Sequence, residues 1–278
     1  MGNCVHCGEK AGFLRRKHKE CRNKYNEGFR AIKKIIHDSF LDNKIENIKK
    51  KIDDIAKNSF IDDQEKKRFI INGWEDSVNT AFDDHILTEE EESSLVSIAS
   101  YFNLSQNDLD DTGAYTKVVK GSILRSVING EIPNKIDVPD SLHFNFQKAE
   151  QLVWVEDNVK YCETKTKTIY QPGSRGVSIK IAKGIYFRTG SFKGKRIQYE
   201  ETDHIDTGTF AVTSKHIYFG GDRKNFRIPF SKIVTFVRYS DGLGIQRDGL
   251  TAKPQTFCMR EGDGWFIYNL VSNISDIG

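Results

Sequence analysis

Residues 208–245 read GTFAVTSKHIYFGGDRKNFRIPFSKIVTFVRYSDGLGI, a stretch in which apolar side chains return at every second position. Phe210 and Val212 alternate with Ala211 and Thr213, and Phe226, Ile228 and Phe230 alternate with Arg227 and Pro229. Successive side chains leave a strand on opposite faces, so this period predicts short β-strands with one face on a core. Gly220, Gly221, Gly242 and Gly244 punctuate the runs as hairpin turns would. Upstream, Val177, Ile179 and Ile181 alternate with Ser178, Lys180 and Ala182, between the glycine-rich stretches 173–176 and 190–194. Downstream, WFIYNLVSNI returns to helical spacing through Phe266, Leu270 and Ile274. Several antiparallel strands closed by one final helix are therefore expected.

Moving toward the amino terminus, Pro133 and Pro139 bracket the polar segment IPNKIDVPD, which reads as a linker over residues 131–143. No proline occurs between residues 1 and 132, and the spacing changes to three and four. Phe29, Ile32, Ile35, Ile36 and Phe40 fit one helix, and Ile45, Ile48, Ile52 and Ile55 another. Phe69, Ile70, Trp74, Val78 and Phe82 continue the pattern. Thr88 with Glu91 forms a capping box ahead of Leu95, Val96, Ile98, Ala99 and Phe102, and Ser105 with Asp108 repeats it. Gly130 follows Leu124, Val127 and Ile128 as a helix stop. An all-α bundle of four to six helices is expected for residues 31–130.

The first 21 residues hold the sharpest chemical signal: Cys4-x2-Cys7, ten residues, then His18-x2-Cys21. Three thiolates and an imidazole in two close pairs match the tetrahedral donor set of zinc. Gly8 can turn backbone amides toward the sulfurs, and the first turn of a helix would put His18 and Cys21 on one face. A segment this short builds no core, so folding and metal binding would be one event, worth about 10–16 kcal/mol in zinc-finger peptides. Four good donors leave no open position, so a structural Zn2+ in a finger of residues 1–30 is expected. Disulfides are disfavoured, since Cys162 and Cys258 bring the thiols to an odd number in a chain without an export signal. His6 could substitute for one of the ligands, but it is expected to face solvent. Arg15, Arg16, Lys17, Lys19, Arg22 and Lys24 surround the ligands; they suit nucleic-acid phosphates or a solvated helix face, while only Phe13 and Tyr25 are there to stack on bases.

At 37% hydrophobic and 29% charged, 278 residues can bury real cores and are not those of a disordered chain. No apolar run approaches the roughly 20 residues that span a bilayer, and MGNCVHCGEK lacks the apolar core of a secretory signal, so a cytoplasmic protein is expected. The net charge of +3 hides segregation: residues 1–30 hold 8 Lys/Arg against 3 Asp/Glu, residues 38–112 hold 8 against 19, and residues 113–278 hold 24 against 17. Such modules could dock on one another, within a chain or between copies. Two basic turns, one with Arg188, Lys193, Lys195 and Arg196 and one with Arg223 and Lys224, suit an anionic ligand such as a lipid headgroup, or serve as charged hairpin tips. No HExxH, G-x-S-x-G or P-loop occurs. Asp203, His204 and Asp206 form a compact acid–His group outside the finger, and Cys162 and Cys258 have no partner in sequence. No catalytic residues are assigned.

Three resemblances add to this reading. CVHCGEKAGFLRRKHKEC resembles treble-clef or zinc-ribbon-like fingers of bacterial proteins. FDDHILTEEEESSLVSIASYFNLSQNDL, residues 82–109, resembles the TerB-like domain of tellurite-resistance proteins. That likeness implies a helical fold, a stress or phage-related setting, and Asp83, Asp84 and Glu89–Glu92 as cation ligands, although four glutamates at a helix start also suit its dipole. Residues 175–275, with Thr213, Lys215, Ile217 to Phe219, Ile228 to Ile233 and Asp241 to Ile245, resemble the GRAM and PH-like superfamily. Its members bind lipids, peptides or proteins and are not usually enzymes. The combined expectation is an α+β multidomain protein: a zinc finger (1–30), an acidic TerB-like bundle (31–130), a linker (131–143) and a PH-like barrel capped by a helix (144–278). Its expected role is that of a non-enzymatic adaptor or sensor with a protein partner. Nucleic-acid binding through the finger and membrane recruitment through the PH-like domain are the alternatives.

Overall fold

In a computed structural model, residues 2–12, 15–84, 86–133, 142, 144–171, 178–182, 185–188, 195–249, 251–259 and 262–277 are described, with the backbone alone from 166 to 200. The chain divides into two units, Met1–Asn129 and Gly130–Gly278.

The first unit is all-α beyond its amino-terminal segment. Its helices are α1 (Lys19–Leu41), α2 (Ile48–Asn58), α3 (Asp63–Ala81), α4 (Glu89–Tyr101), α5 (Gln106–Leu109) and α6 (Ala114–Ile128). The three-four spacing becomes one core: Ile32, Ile36 and Phe40 of α1 meet Ile52, Trp74, Val78, Leu95 and Ile98 from the surrounding helices. Each such side chain contributes about 1.5–3 kcal/mol by leaving water. Trp74 satisfies its buried indole by donating to the Leu95 carbonyl at 2.9 Å. A Cβ at Gly73 would lie 2.8 Å from Ile36 Cβ and 3.0 Å from the Lys33 carbonyl, so this glycine permits α1 and α3 to cross closely. Both capping boxes form, at Thr88 with Glu91 and at Ser105 with Asp108. α6 ends at Ile128, with Gly130 at φ 80. α1 runs unbroken through residues 30 and 31, so the segment that carries His18 and Cys21 continues directly into the bundle.

The second unit contains β1 (Leu152–Gln171), β2 (Ser178–Ala182), β3 (Ile185–Arg188), β4 (Lys195–Thr213), β5 (His216–Gly221), β6 (Asn225–Pro229), β7 (Ile233–Tyr239), β8 (Gly242–Arg247), β9 (Gln255–Cys258) and α7 (Asp263–Ile277). Seven strands form one antiparallel sheet in the order β6-β5-β4-β1-β9-β8-β7, and β2 with β3 makes a separate hairpin. The sheet is open among the described residues: β6 and β7 are its edges, where the sequence led us to expect a closed barrel. One face gathers Tyr161, Phe210, Phe219, Phe226 and Phe257, with ring centroids about 5–6 Å apart. α7 lies against β7 and β8 and buries Phe266, Leu270 and Ile274, as its spacing predicts.

Strand alternation alone misses the opposite face. Ala211 and Thr213, the nominal outer partners of Phe210 and Val212, are also fully buried. Leu142, Phe144 and Phe146 cover this side, packing on Leu152, Ala211 and Tyr218. A Cβ at Gly220 would sit 2.7 Å from the Phe144 ring, so the glycine there makes room for the covering segment. Glu150 pins that segment down. Its fully buried carboxylate accepts hydrogen bonds from His216 Nδ1, the Tyr218 hydroxyl and the Gln147 amide, each at 2.8 Å, and from Thr213 Oγ1. Burial pushes the Glu150 carboxyl upward, but the donors from Thr213, Gln147, Tyr218 and His216 outweigh it and hold the group below its ordinary value.

Because the folded value is lowered, the stability that Glu150 supplies is complete above the ordinary value of 4.5 and is lost as pH falls through the lower folded value. Glu150→Ala should cost the β unit about 3 kcal/mol by leaving the buried donors of His216 and Tyr218 without an acceptor. Hydrogen exchange of the β4 and β5 amides reads this unit alone. Protection should fall in the variant at neutral pH, and in the wild type only on acidification.

Candidate metal centre

The segment before α1 is shaped by backbone hydrogen bonds. Asn3 and Lys10 pair as an antiparallel bridge, the Cys4 amide donates to the Glu9 carbonyl at 2.6 Å, and the Gly8 amide donates to the Cys4 carbonyl at 2.9 Å. Gly8 holds φ 78, a left-handed conformation that glycine adopts without penalty. Cys4 and Cys7 thereby sit on one tight knuckle. The Val5 amide donates to the Arg16 carbonyl at 3.0 Å, which brings the knuckle to the start of α1. There His18 is the N-cap residue, and Cys21 lies in the first turn.

These four residues converge. The ligand atoms of Cys4, Cys7, His18 and Cys21 all lie within 4.8 Å of one another, close enough to hold one metal ion. His18 Nδ1 is 3.3 Å from Cys7 Sγ and 3.7 Å from Cys21 Sγ. Tetrahedral bonds of about 2.0–2.3 Å place neighbouring donors roughly 3.5–3.8 Å apart, so these two separations lie close to that spacing. His18 Nε2 lies 3.0 Å from the Lys10 carbonyl. As donor in that bond it leaves the Nδ1 lone pair facing the sulfurs, the outer-shell arrangement that orients metal-bound imidazoles. The His18 amide donates to Cys4 Sγ at 3.4 Å.

Electrostatics favour thiolate at this place. Burial raises the Cys4 thiol, yet the amides of Cys7, His18 and His6 overcome it and bring the group down to about 6. Cys21 is pushed up to about 11 by burial, then by its hydrogen bonds and charge coupling to Cys7 and Cys4. One negative charge is thus comfortable and a further one is not, until a cation enters. The positive end of α1 adds to the attraction for anionic sulfur.

Around the cluster Arg15, Arg16, Lys17, Lys19, Arg22 and Lys24 are exposed. Phe13 lies outside the described residues. His6 departs from its expected solvent-facing position: its ring stacks 4.9 Å from Tyr25 and 6.0 Å from Phe60, bracing the knuckle against the bundle. The hydrogen bond from His18 Nε2 to Lys10 and the stacking of His6 carry no sequence motif, because both depend on where a loop folds back.

The other sequence-derived candidates have separate fates. Among the described residues, the Cys/His cluster is the one group of metal-ligating side chains that converges, and Asp83, Asp84 and Glu89–Glu92 form none. Glu91 serves the helix cap, and Glu92 holds Arg125 and Ser122 of α6. Lys193 lies outside the described residues; Arg188, Lys195 and Arg196 are described only as backbone, paired with Ser178, Gln171 and Tyr170. Arg223 and Lys224 are exposed, and their amides donate to Asp206 Oδ2 at 2.7 and 2.8 Å, which shapes the β5–β6 turn. About 35 Å of extended β4 separates Lys195 from Asp206, so the two basic turns are not one site. Asp203 pairs with Lys165 at 3.1 Å, while the exposed His204 reaches Thr207 at 3.0 Å. Cys162 and Cys258 stand on the adjacent strands β1 and β9, and burial pushes Cys162 up to about 11, away from reactivity. Among the described residues, no helix is long and apolar enough to cross a membrane.

Compared with protein-family models, curated proteins and solved structures, the chain matches none.

Metal analysis should find about one ion per chain. Cys4→Ser should weaken binding by on the order of 100-fold, its share of a multi-ligand site. The same substitution should strip exchange protection from the amides of residues 2–12, while the β unit keeps its own.

Proposed function

We propose that the protein is a zinc-stabilised, non-enzymatic adaptor or sensor that acts in the cytoplasm through protein–protein interaction. The observation that carries this reading is the closed donor set of Cys4, Cys7, His18 and Cys21. Three thiolates and an imidazole complete a tetrahedral zinc shell and leave no position for water or substrate. The ion's work is then architectural: it fixes the knuckle of residues 2–12 on the first turn of α1. Zinc thiolates, together with the unpaired Cys162 and Cys258, suit a reducing compartment.

The helical unit is read as TerB-like and the β unit as PH/GRAM-like. Support for the second comes from connectivity. Strands joined mainly by hairpins flank β1 on both sides in the order β6-β5-β4-β1-β9-β8-β7, and a helix ends the unit. With β2–β3 taken as an insertion, seven strands and a terminal helix remain, and an approach of β6 to β7 would close the barrel. On this reading the two units are binding modules, and the setting is the bacterial stress or phage-related response that the resemblances imply.

Affinity capture with the wild type and with Cys4→Ser tests the adaptor role. A specific protein captured by the zinc-loaded chain and lost with the variant is the expected result. Identical capture by both proteins would overturn it.

A further inference from the structure

One groove of the helical unit is not explained by the metal centre. It is an open cleft of about 540 Å³ between α1 and α3, with Arg30, Lys33, Lys34 and His37 on one wall and Asp76 and Thr80 on the other. The cleft opens beside the close crossing at Gly73, where α3 comes up against Lys33 and Ile36. Its single carboxylate is already neutralised, since Lys33 Nζ lies 2.7 Å from Asp76. Thr80 Oγ1 donates to the Asp76 carbonyl at 3.2 Å and so accepts from His37 Nε2 at 3.1 Å. Arg30 and Lys34 are exposed, and among the described residues neither forms an ion pair. Lys117 of α6 reaches Asn79 at the far end, at 3.5 Å.

The groove belongs to a longer feature. At 3.6 residues per turn, Lys19, Arg22, Arg30, Lys33, Lys34 and His37 fall within a sector of about 120° around α1. The acids of the same helix, Glu20, Glu27 and Asp38, fall just outside that sector. Residues 38–112 hold 19 acids against 8 bases, so this cationic stripe stands out against an acidic remainder. From Arg22 to Lys34 it runs about 18 Å at 1.5 Å per residue. One phosphate per 3.4 Å of a nucleic-acid strand puts about five phosphates along that length, whereas a single anionic headgroup would meet only part of it. Phe29, the aromatic side chain of the groove, has Lys33 over one face at 5.5 Å and packs against the Phe69 ring at 4.6 Å, so it is already engaged within the unit.

We propose that the α1–α3 groove, with the basic stripe leading from the metal centre, binds the phosphate backbone of nucleic acid without reading sequence. Arg30 and Lys34 make the central phosphate contacts, and Arg22 extends them toward the metal cluster. This goes beyond the adaptor reading and can fail without it, because protein capture and phosphate binding are measured separately.

Fluorescence anisotropy of the zinc-loaded full chain with a labelled duplex of random sequence, over a series of salt concentrations, tests it. The wild type should bind at low salt with a steep negative slope of log affinity against log salt, and scrambled duplexes should bind alike. Arg30→Glu with Lys34→Glu should weaken binding at least tenfold and flatten the slope by about 1.8, the share of two phosphates. The pair Arg30→Lys with Lys34→Arg should retain binding. Lys57→Glu, an exposed change on α2, carries half of that change in net charge and should have well under half of the effect on log affinity; half or more would overturn the proposal. Far-UV circular dichroism and zinc content confirm that each variant is folded. Absence of wild-type binding at low salt would overturn the proposal, as would an unchanged affinity in the doubly reversed variant. Binding to vesicles containing anionic lipid in place of duplex would also overturn it and assign the stripe to a membrane surface.

Discussion

The helical unit is organised by one rod. α1 extends over 23 residues, and different sectors of its circumference do different things. Its first turn contributes Cys21, with His18 as N-cap; its inner stripe contributes Ile32, Ile36 and Phe40 to the core; a third sector faces water with cations. Because a helix is stiff over this length, α1 carries the knuckle of residues 2–12 into place relative to α3 and α4, and the stacking of His6 on Tyr25 and Phe60 braces it there. Ion pairs do not hold this arrangement together. Lys33–Asp76, Lys66–Asp53 and Lys67–Asp108 are at least partly exposed, and pairs of that kind are worth about 0–1 kcal/mol each. Apolar burial against α1 fixes the unit, and the charges decorate it.

The β unit rests on a different device. β1 pairs with β4 along nearly their whole length, from Leu152 opposite Thr213 to Gln171 opposite Lys195, and the remaining strands extend outward from this central pair. A sheet with an apolar inner face is ordinary; here the outer face at β4 and β5 is covered as well. Burial of Glu150 and His216 is tolerated because the carboxylate has four donors and so meets its full hydrogen-bonding capacity without water. Asp206 repeats the solution at the β5–β6 turn, where three amides surround a buried carboxylate.

The legible parts of this protein were those in which one local rule governs several residues. Three-four spacing, two capping boxes and paired ligand spacings each leave a repeated mark, and the corresponding helices and donor cluster appear where that mark lies. Leu142, Phe144 and Phe146 also alternate, but they sit beside the linker IPNKIDVPD, and a covering strap has no turn or cap to announce it. The basic stripe on α1 escaped for another reason. Arg30, Lys33 and Lys34 straddle the boundary between a basic head and an acidic middle, so averaging charge along the chain divides what the helix brings onto one side. Asp206 looked like part of an acid–His group until its turn folded around it. Sheet closure is equally non-local: period two predicts strands but not whether the two edge strands meet.

The register between β1 and β9 has a consequence in time. Lys160 pairs with Cys258, so the sheet is complete only when residues nearly a hundred positions apart have met. In the helical unit the knuckle touches α1 a few residues later, and α1 meets α2 and α3 soon after that. Contacts near in sequence form quickly, whereas distant strand pairings wait on loop closure. During synthesis the amino-terminal unit can therefore be finished while β1 and β4 still lack β9, and the last strand to emerge decides when the sheet is whole.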